Sequence, residues 1–228
     1  MPAIKEATFN FLLDLKENNN REWFQENKAV YTQAHENVIA FADALLLEMQ
    51  QHDDLETPSG KKSLFRIYRD VRFSKNKSPY KSHFSGSFKR ATKALRGGYY
   101  FHIEAGNTFA AGGFWGPNSA DLKHLRNQIA QDPDPLREIL ASQTFNDYFG
   151  ELIGDQVKTA PKGFSKDDPA IDLLRFKQFI LKHDFTDEEA LSDDFVQKLS
   201  YTFQQMRPFL DYMSDILTTD LNGISLIE

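Results

Sequence analysis

The apolar positions change period twice along the chain, and the changes divide it into three stretches. From Ile4 to Met49 they recur at three- and four-residue steps. Ile4, Thr8, Phe11, Leu12 and Leu15 share one face of a first helix, and Val30, Ala34, Val38, Phe41, Leu45 and Met49 share one face of a second. The asparagine run Asn18 to Asn20 ends the first helix, and Asn19 with Glu22 has capping-box spacing for the start of the second. "TPSG", Thr57 to Gly60, then breaks the chain.

From Leu64 to Trp115 the period falls to two. The alternation predicts strands near Leu64–Phe73, His83–Arg90, Gly98–Glu104 and Thr108–Phe114, with a hairpin turning at Ala105-Gly106-Asn107. Gly112 and Gly113 signal a bulge or a close backbone approach.

Beyond Gly116-Pro117 the helical period returns. Asn118 or Ser119 caps a helix carrying Leu122, Leu125, Arg126 and Ile129, "DPDP" ends it, and a short helix follows through Leu136 and Leu140. "LLRFKQFIL" reads as a return strand. Ser192 reads as the start of a last helix bearing Phe195, Leu199, Phe203, Met206, Leu210 and Met213, kinked at Pro208. The order predicts a single α+β domain over residues 1–228, with an antiparallel sheet of about four to five strands flanked by N-terminal and C-terminal helices.

Composition narrows the chemistry. At 228 residues, 40% of them hydrophobic and 20 of them Phe, the chain can bury a large aromatic core. It has no Cys, which excludes thiolate metal sites, disulfides and cysteine nucleophiles. The first residues lack a basic stretch followed by an apolar run, and no run is long enough to span a bilayer, so a soluble cytoplasmic protein without a membrane partner is expected.

Net charge is −6, but twelve of the Lys and Arg residues fall between Lys61 and Arg96 against the single acid Asp70. That concentration centres on "FRIYRDVRFSKNKSPYK", residues 65–81. Read as a strand, it turns Phe65, Ile67, Arg69, Val71 and Phe73 to one side and Arg66, Tyr68, Asp70 and Arg72 to the other. Two arginines roughly 7 Å apart repel by about 2 kcal/mol at an effective dielectric of ~20. One aspartate does not offset the group. Water, acids from elsewhere in the fold, or an anionic ligand must do so. Arg69 is the sharper anomaly, since it interrupts an apolar face and needs either a partner or a bulge near Asp70 that turns it out.

The same residues, Arg66, Arg69, Asp70, Arg72, Phe73, Lys77 and Tyr80, resemble the Arg-x-x-Arg-Asp-x-Arg-Phe…Lys…Tyr hallmark of domain-of-unknown-function family 2461. "NNNREWFQENK" and "GGYYFHIEAGNTFAAGGFWGP" are also similar to that family, and the resemblance covers essentially the whole chain. It implies a bacterial-type single-domain protein with related domains in fungi, and brings no established activity or catalytic residue.

Three readings stay open. The first is a site for a small anionic ligand bearing phosphate or carboxylate. There Arg66, Arg69, Arg72, Lys77 and Lys81 hold the anion and Tyr80 donates a hydrogen bond. Asp70 orients an arginine or acts as a base, His83 is a general acid or base, and Trp115 walls the pocket. The second is a nucleic-acid module in which Lys75, Lys77, Lys81, Lys89, Arg90, Lys93 and Arg96 track phosphates while Tyr68, Tyr99 and Phe101 stack on bases. The third is a protein-interaction scaffold with a structural ion-pair network. His102 and Glu104 share a strand face and can join His83 as metal ligands, but ordinary cross-strand pairing is the commoner outcome, so no metal site is assigned. No Walker loop or nucleophile elbow is present, and neither a cofactor nor an oligomeric state can be read from the sequence.

Overall fold

The helical periodicities of the N-terminal third form as three helices. The computed structural model describes residues 2–227. Helix α1 (Glu6–Glu17) buries Phe9, Phe11, Leu12 and Leu15, and a one-turn-and-a-half helix α2 (Arg21–Glu26) precedes the long α3 (Lys28–Met49). The start of α2 differs from expectation by one residue: Asn20 is the cap, its side chain accepting from Trp23 N at 2.9 Å. Asn19 is thereby released for another task. Along α3 the apolar stripe is buried from Ala34 to Met49, while Val30 stays exposed. A single turn, α4 (Gly60–Ser63), is capped by Ser59. Gly60 is required there, because a Cβ would lie 2.2 Å from the backbone nitrogen of Asp43 in α3.

The strand block gives β1 (Phe84–Lys89), β2 (Gly98–Ile103) and β3 (Thr108–Phe114). The C-terminal part contributes α5 (Ser119–Gln131), α6 (Asp134–Ala141), α7 (Gln143–Tyr148), α8 (Ile171–Leu174), β4 (Phe179–Phe185), α9 (Asp187–Leu191), α10 (Phe195–Gln205) and α11 (Arg207–Thr218). The four strands form one antiparallel sheet in the order β1-β2-β3-β4, so each strand pairs with its neighbour in sequence. Helices on either side of this block in the sequence make the fold α+β, with eleven helices among the described residues.

Several local expectations change. Leu64–Phe73 is not a strand of the sheet; its strand-like pairing is limited to two isolated bridges, Leu64 to Gly86 and Tyr68 to Tyr80. A continuous strand there would carry charge on both faces, and burial of either face would strand guanidinium groups. "LLRFKQFIL" splits into helical Ile171–Leu174 and a strand that begins only at Phe179. The helix predicted from Ser192 begins at Phe195; Ser192 is instead the C-cap of α9, which has its own reciprocal capping box between Thr186 and Glu189. The expected last helix divides at Met206 into α10 and α11, with Pro208 in the first turn of α11, where its missing N–H costs nothing.

By compactness the chain divides into two units. One comprises the chain as far as Phe88, with Tyr100–Ala110 and Asp184–Tyr201; the other comprises Lys89–Tyr99, Ala111–His183 and the chain from Thr202 on. In the first, Phe41 packs against Phe101 and Phe195, and Phe88 against Phe101. In the second, Tyr99 packs against Phe203, and β3 runs so close to β4 that a Cβ on Gly113 (φ +123°) would lie 2.1 Å from the carbonyl oxygen of Phe179. No helix among the described residues is long and apolar enough to cross a membrane.

Candidate functional site

The motif segment, though not a strand, is an ordered two-armed loop of the first unit. Phe65 N donates to Ser85 O (2.9 Å), Lys81 N to Ile67 O (2.8 Å) and Arg69 N to Pro79 O (2.9 Å). Between its two bridges, four residue steps on one arm, Leu64 to Tyr68, face six on the other, Tyr80 to Gly86. The surplus falls at the bend Ser82-His83, so the bulge lies on the arm opposite Asp70 and re-aims His83.

An aromatic cluster and one amide fix the loop. The Phe24 ring lies flat on Tyr80, with centroids 4.0 Å apart and planes 13° apart, and Tyr68 packs against both. Asn19 binds the Tyr80 backbone twice: its Nδ2 donates to Tyr80 O and its Oδ1 accepts from Tyr80 N, both at 3.1 Å. A side-chain amide thus imitates a neighbouring strand.

These contacts shape an open basin of about 730 Å³, lined among others by Lys16, Asn19, Arg66, Arg69, Asp70, Tyr80, Lys81 and His83. Of the expected site residues, Arg66, Arg69, Asp70, Tyr80, Lys81 and His83 therefore come together. Arg72, Lys77 and Trp115 do not line it. Arg72 is exposed and grips Asp70, with Nε to Oδ1 at 3.0 Å and Nη2 to Oδ2 at 2.6 Å; Lys77 Nζ donates to Val71 O at 2.9 Å; Trp115 is 75% exposed and lies in the other unit.

The charges of the basin are poorly matched. Its lining holds four cations, Lys16, Arg66, Arg69 and Lys81, and one carboxylate, Asp70, which Arg72 already occupies. The side-chain hydrogen bond from Arg72, and then its backbone N–H, hold the Asp70 carboxyl below its usual range. Among the described residues, no hydrogen bond or ion pair reaches the guanidinium of Arg66 or Arg69. Burial, and next the charge of Arg66, pull the Lys81 ammonium below its ordinary pKa; its Nζ sits 5.4 Å from the centre of the Phe65 ring.

His83 joins a second group. Its ring lies 4.0 Å, centroid to centroid, from that of His102 in β2, and burial, followed by the charge of His102, pushes its pKa down to about 4. His102 Nε2 meets Glu104 Oε2 at 3.1 Å, and its Nδ1 meets Tyr100 OH at 3.1 Å. Burial raises the Glu104 pKa, but hydrogen bonds from Asn107, His102 and Ser82 outweigh this and hold it below its usual value.

Burial also removes part of the proposed nucleic-acid face, whereas Lys75, Lys77, Lys89 and Lys93 stay exposed. Arg90 is fully buried and paired with Asp211, Arg96 is paired with Asp121, and Tyr99 and Phe101 lie in the core, where no base can stack on them. Sequence reasoning missed Lys16 and Asn19 as lining residues. The asparagine run carried the only signal, and it pointed to a helix cap.

The family model described as Conserved hypothetical protein (DUF2461) matches residues 7–212, a span that contains the whole basin. The chain belongs to this family. No curated protein and no solved structure matches the chain significantly. Membership supplies no activity, so the chemistry rests on the residues themselves.

Proposed function

We propose that this protein binds a small anionic ligand, bearing phosphate or carboxylate, in the basin beneath the motif loop. The observation that carries the reading is the pair Arg66 and Arg69: both line the basin, and neither guanidinium makes an ion pair or a hydrogen bond among the described residues. Forked guanidinium donors match the geometry of carboxylate and phosphate oxygens. Lys81 adds a third cation whose charge is already disfavoured by burial and by Arg66, so an anion relieves an existing strain. Tyr80 is among the lining residues. Asp70, held ionised by Arg72, serves to position that arginine and the loop rather than to accept a proton.

The reading is tested by titrating chelator-treated protein with inorganic phosphate, pyrophosphate and citrate, following heat and melting temperature. A charge-assisted hydrogen bond contributes about 1.5–3 kcal/mol, so Arg69→Gln and Arg66→Gln should each weaken binding by roughly 10- to 150-fold. Parent protein that binds none of these anions, or variants that bind as well as the parent, would overturn it. A preference for long oligonucleotides with steep salt dependence would favour the nucleic-acid reading instead.

A further inference from the structure

We propose that His83, His102 and Glu104 form a binding site for one divalent transition-metal ion of the zinc class. The candidate ligand atoms of the three side chains all lie within 4.8 Å of one another. Ligands held about 2.0–2.2 Å from a tetrahedral zinc lie roughly 3.3–3.6 Å apart, so closure needs only small side-chain movements. Two imidazoles and one carboxylate suit zinc and its first-row neighbours, whereas calcium and magnesium favour all-oxygen sets.

The placement is rigid where a metal site needs it to be. His102 and Glu104 stand two residues apart, at the end of β2 and just beyond it, and the bulge at Ser82-His83 sets the third ring against them. Surrounding groups hold the ligands as metal ligands are usually held. Tyr100 OH engages Nδ1 of His102, leaving Nε2 toward Glu104; Ser82 Oγ donates to Glu104 Oε1 at 3.0 Å, and Asn107 Nδ2 to Oε2 at 3.0 Å. The Phe109 ring covers His102 at 4.7 Å, nearly parallel.

A purely structural polar network accounts for His102 and Glu104 but not for His83. Among the described residues neither ring nitrogen of His83 makes a hydrogen bond, although the ring lies against that of His102 with the planes tilted by 32°. His83 also lines the basin. Three protein ligands leave a coordination position for water or for an oxygen of an anion. The metal site does not depend on the anion reading.

The test uses the full chain, stripped with chelator and dialysed into phosphate-free buffer. Calorimetric titration with Zn²⁺ should show one tight equivalent, Co²⁺ should give the visible absorption of a four- or five-coordinate ion, and Mg²⁺ should give neither. His83→Gln and Glu104→Gln should each weaken Zn²⁺ binding by at least about 100-fold, while His124→Gln leaves it unchanged. Circular dichroism checks that each variant is folded. Absence of a stoichiometric Zn²⁺ or Co²⁺ site in the parent overturns the proposal, as does parent-like binding by folded His83→Gln and Glu104→Gln. Because phosphate, pyrophosphate and citrate are left out, failure of the anion reading leaves this result interpretable.

Discussion

Replacing Asn19 with alanine removes both hydrogen bonds that tie the N-terminal helices to the motif loop, without touching any charge. Each of the two bonds to the Tyr80 backbone is 3.1 Å long and partly buried. A hydrogen bond of this kind contributes about 1 kcal/mol net, and a backbone group left without a partner costs about 1–3 kcal/mol when water cannot reach it. Partial exposure places the sum at about 2 kcal/mol, or a fall in Tm of about 4–8 °C for a chain of this size. Urea unfolding followed by Trp fluorescence, together with thermal melts, measures it. Asn19→Asp separates the two halves of the contact. It keeps the acceptor for Tyr80 N–H but turns a second acceptor toward Tyr80 O, so it should cost about as much as Asn19→Ala. It also adds a carboxylate to a lining that holds Arg66, Arg69 and Lys81 and should weaken phosphate binding more than Asn19→Ala does. A loss below about 0.5 kcal/mol in Asn19→Ala would show that the loop does not depend on this amide, and would refute the reasoning.

Gly113→Ala should destabilise the fold by at least about 2 kcal/mol in urea unfolding, since it combines a left-handed backbone with a collision against the Phe179 carbonyl; a neutral effect would mean that β3 and β4 can separate there. Burial, and then the charges of Asp132 and Asp215, push the Tyr212 hydroxyl up to about 12. The unfolded chain loses this proton near pH 10 while the folded chain keeps it, so the contribution of Tyr212 to stability is present below pH ~10 and is lost as pH rises toward 12. Ultraviolet titration of the parent against Tyr212→Phe should show one tyrosine fewer ionising near pH 12; an unchanged curve in that range would contradict the assignment.

Much of the fold was legible because its signals are local. The 3.6 period of α3, the turn glycine Gly106 and the cap Asn118 act through neighbours in sequence, and the corresponding elements form. The motif was legible as a concentration of charge, and Arg69 as a residue out of place on an apolar face. Its resolution was not. A period of two says which residues would share a face if the segment paired as a strand, but not whether a partner strand exists. Only two isolated bridges form, Phe65 and Phe73 are exposed, and Arg69 opens onto a basin.

By itself, then, the sequence determined the long helices, the first three strands of the sheet, the α+β class and a basic segment beyond what its single acid could offset. Tertiary structure decided how each cation was used. Arg90 and Arg96 found carboxylates, Arg72 closed on Asp70, and Arg66 and Arg69 were left facing open space. It also decided that His83 meets His102 and Glu104, because a contact between neighbouring strands depends on register and on a two-residue bulge. Charge is a property of composition, and the Arg72–Asp70 pair is local, whereas a pairing such as Arg90 with Asp211 is a distance between residues far apart in the chain that exists only once the chain has folded.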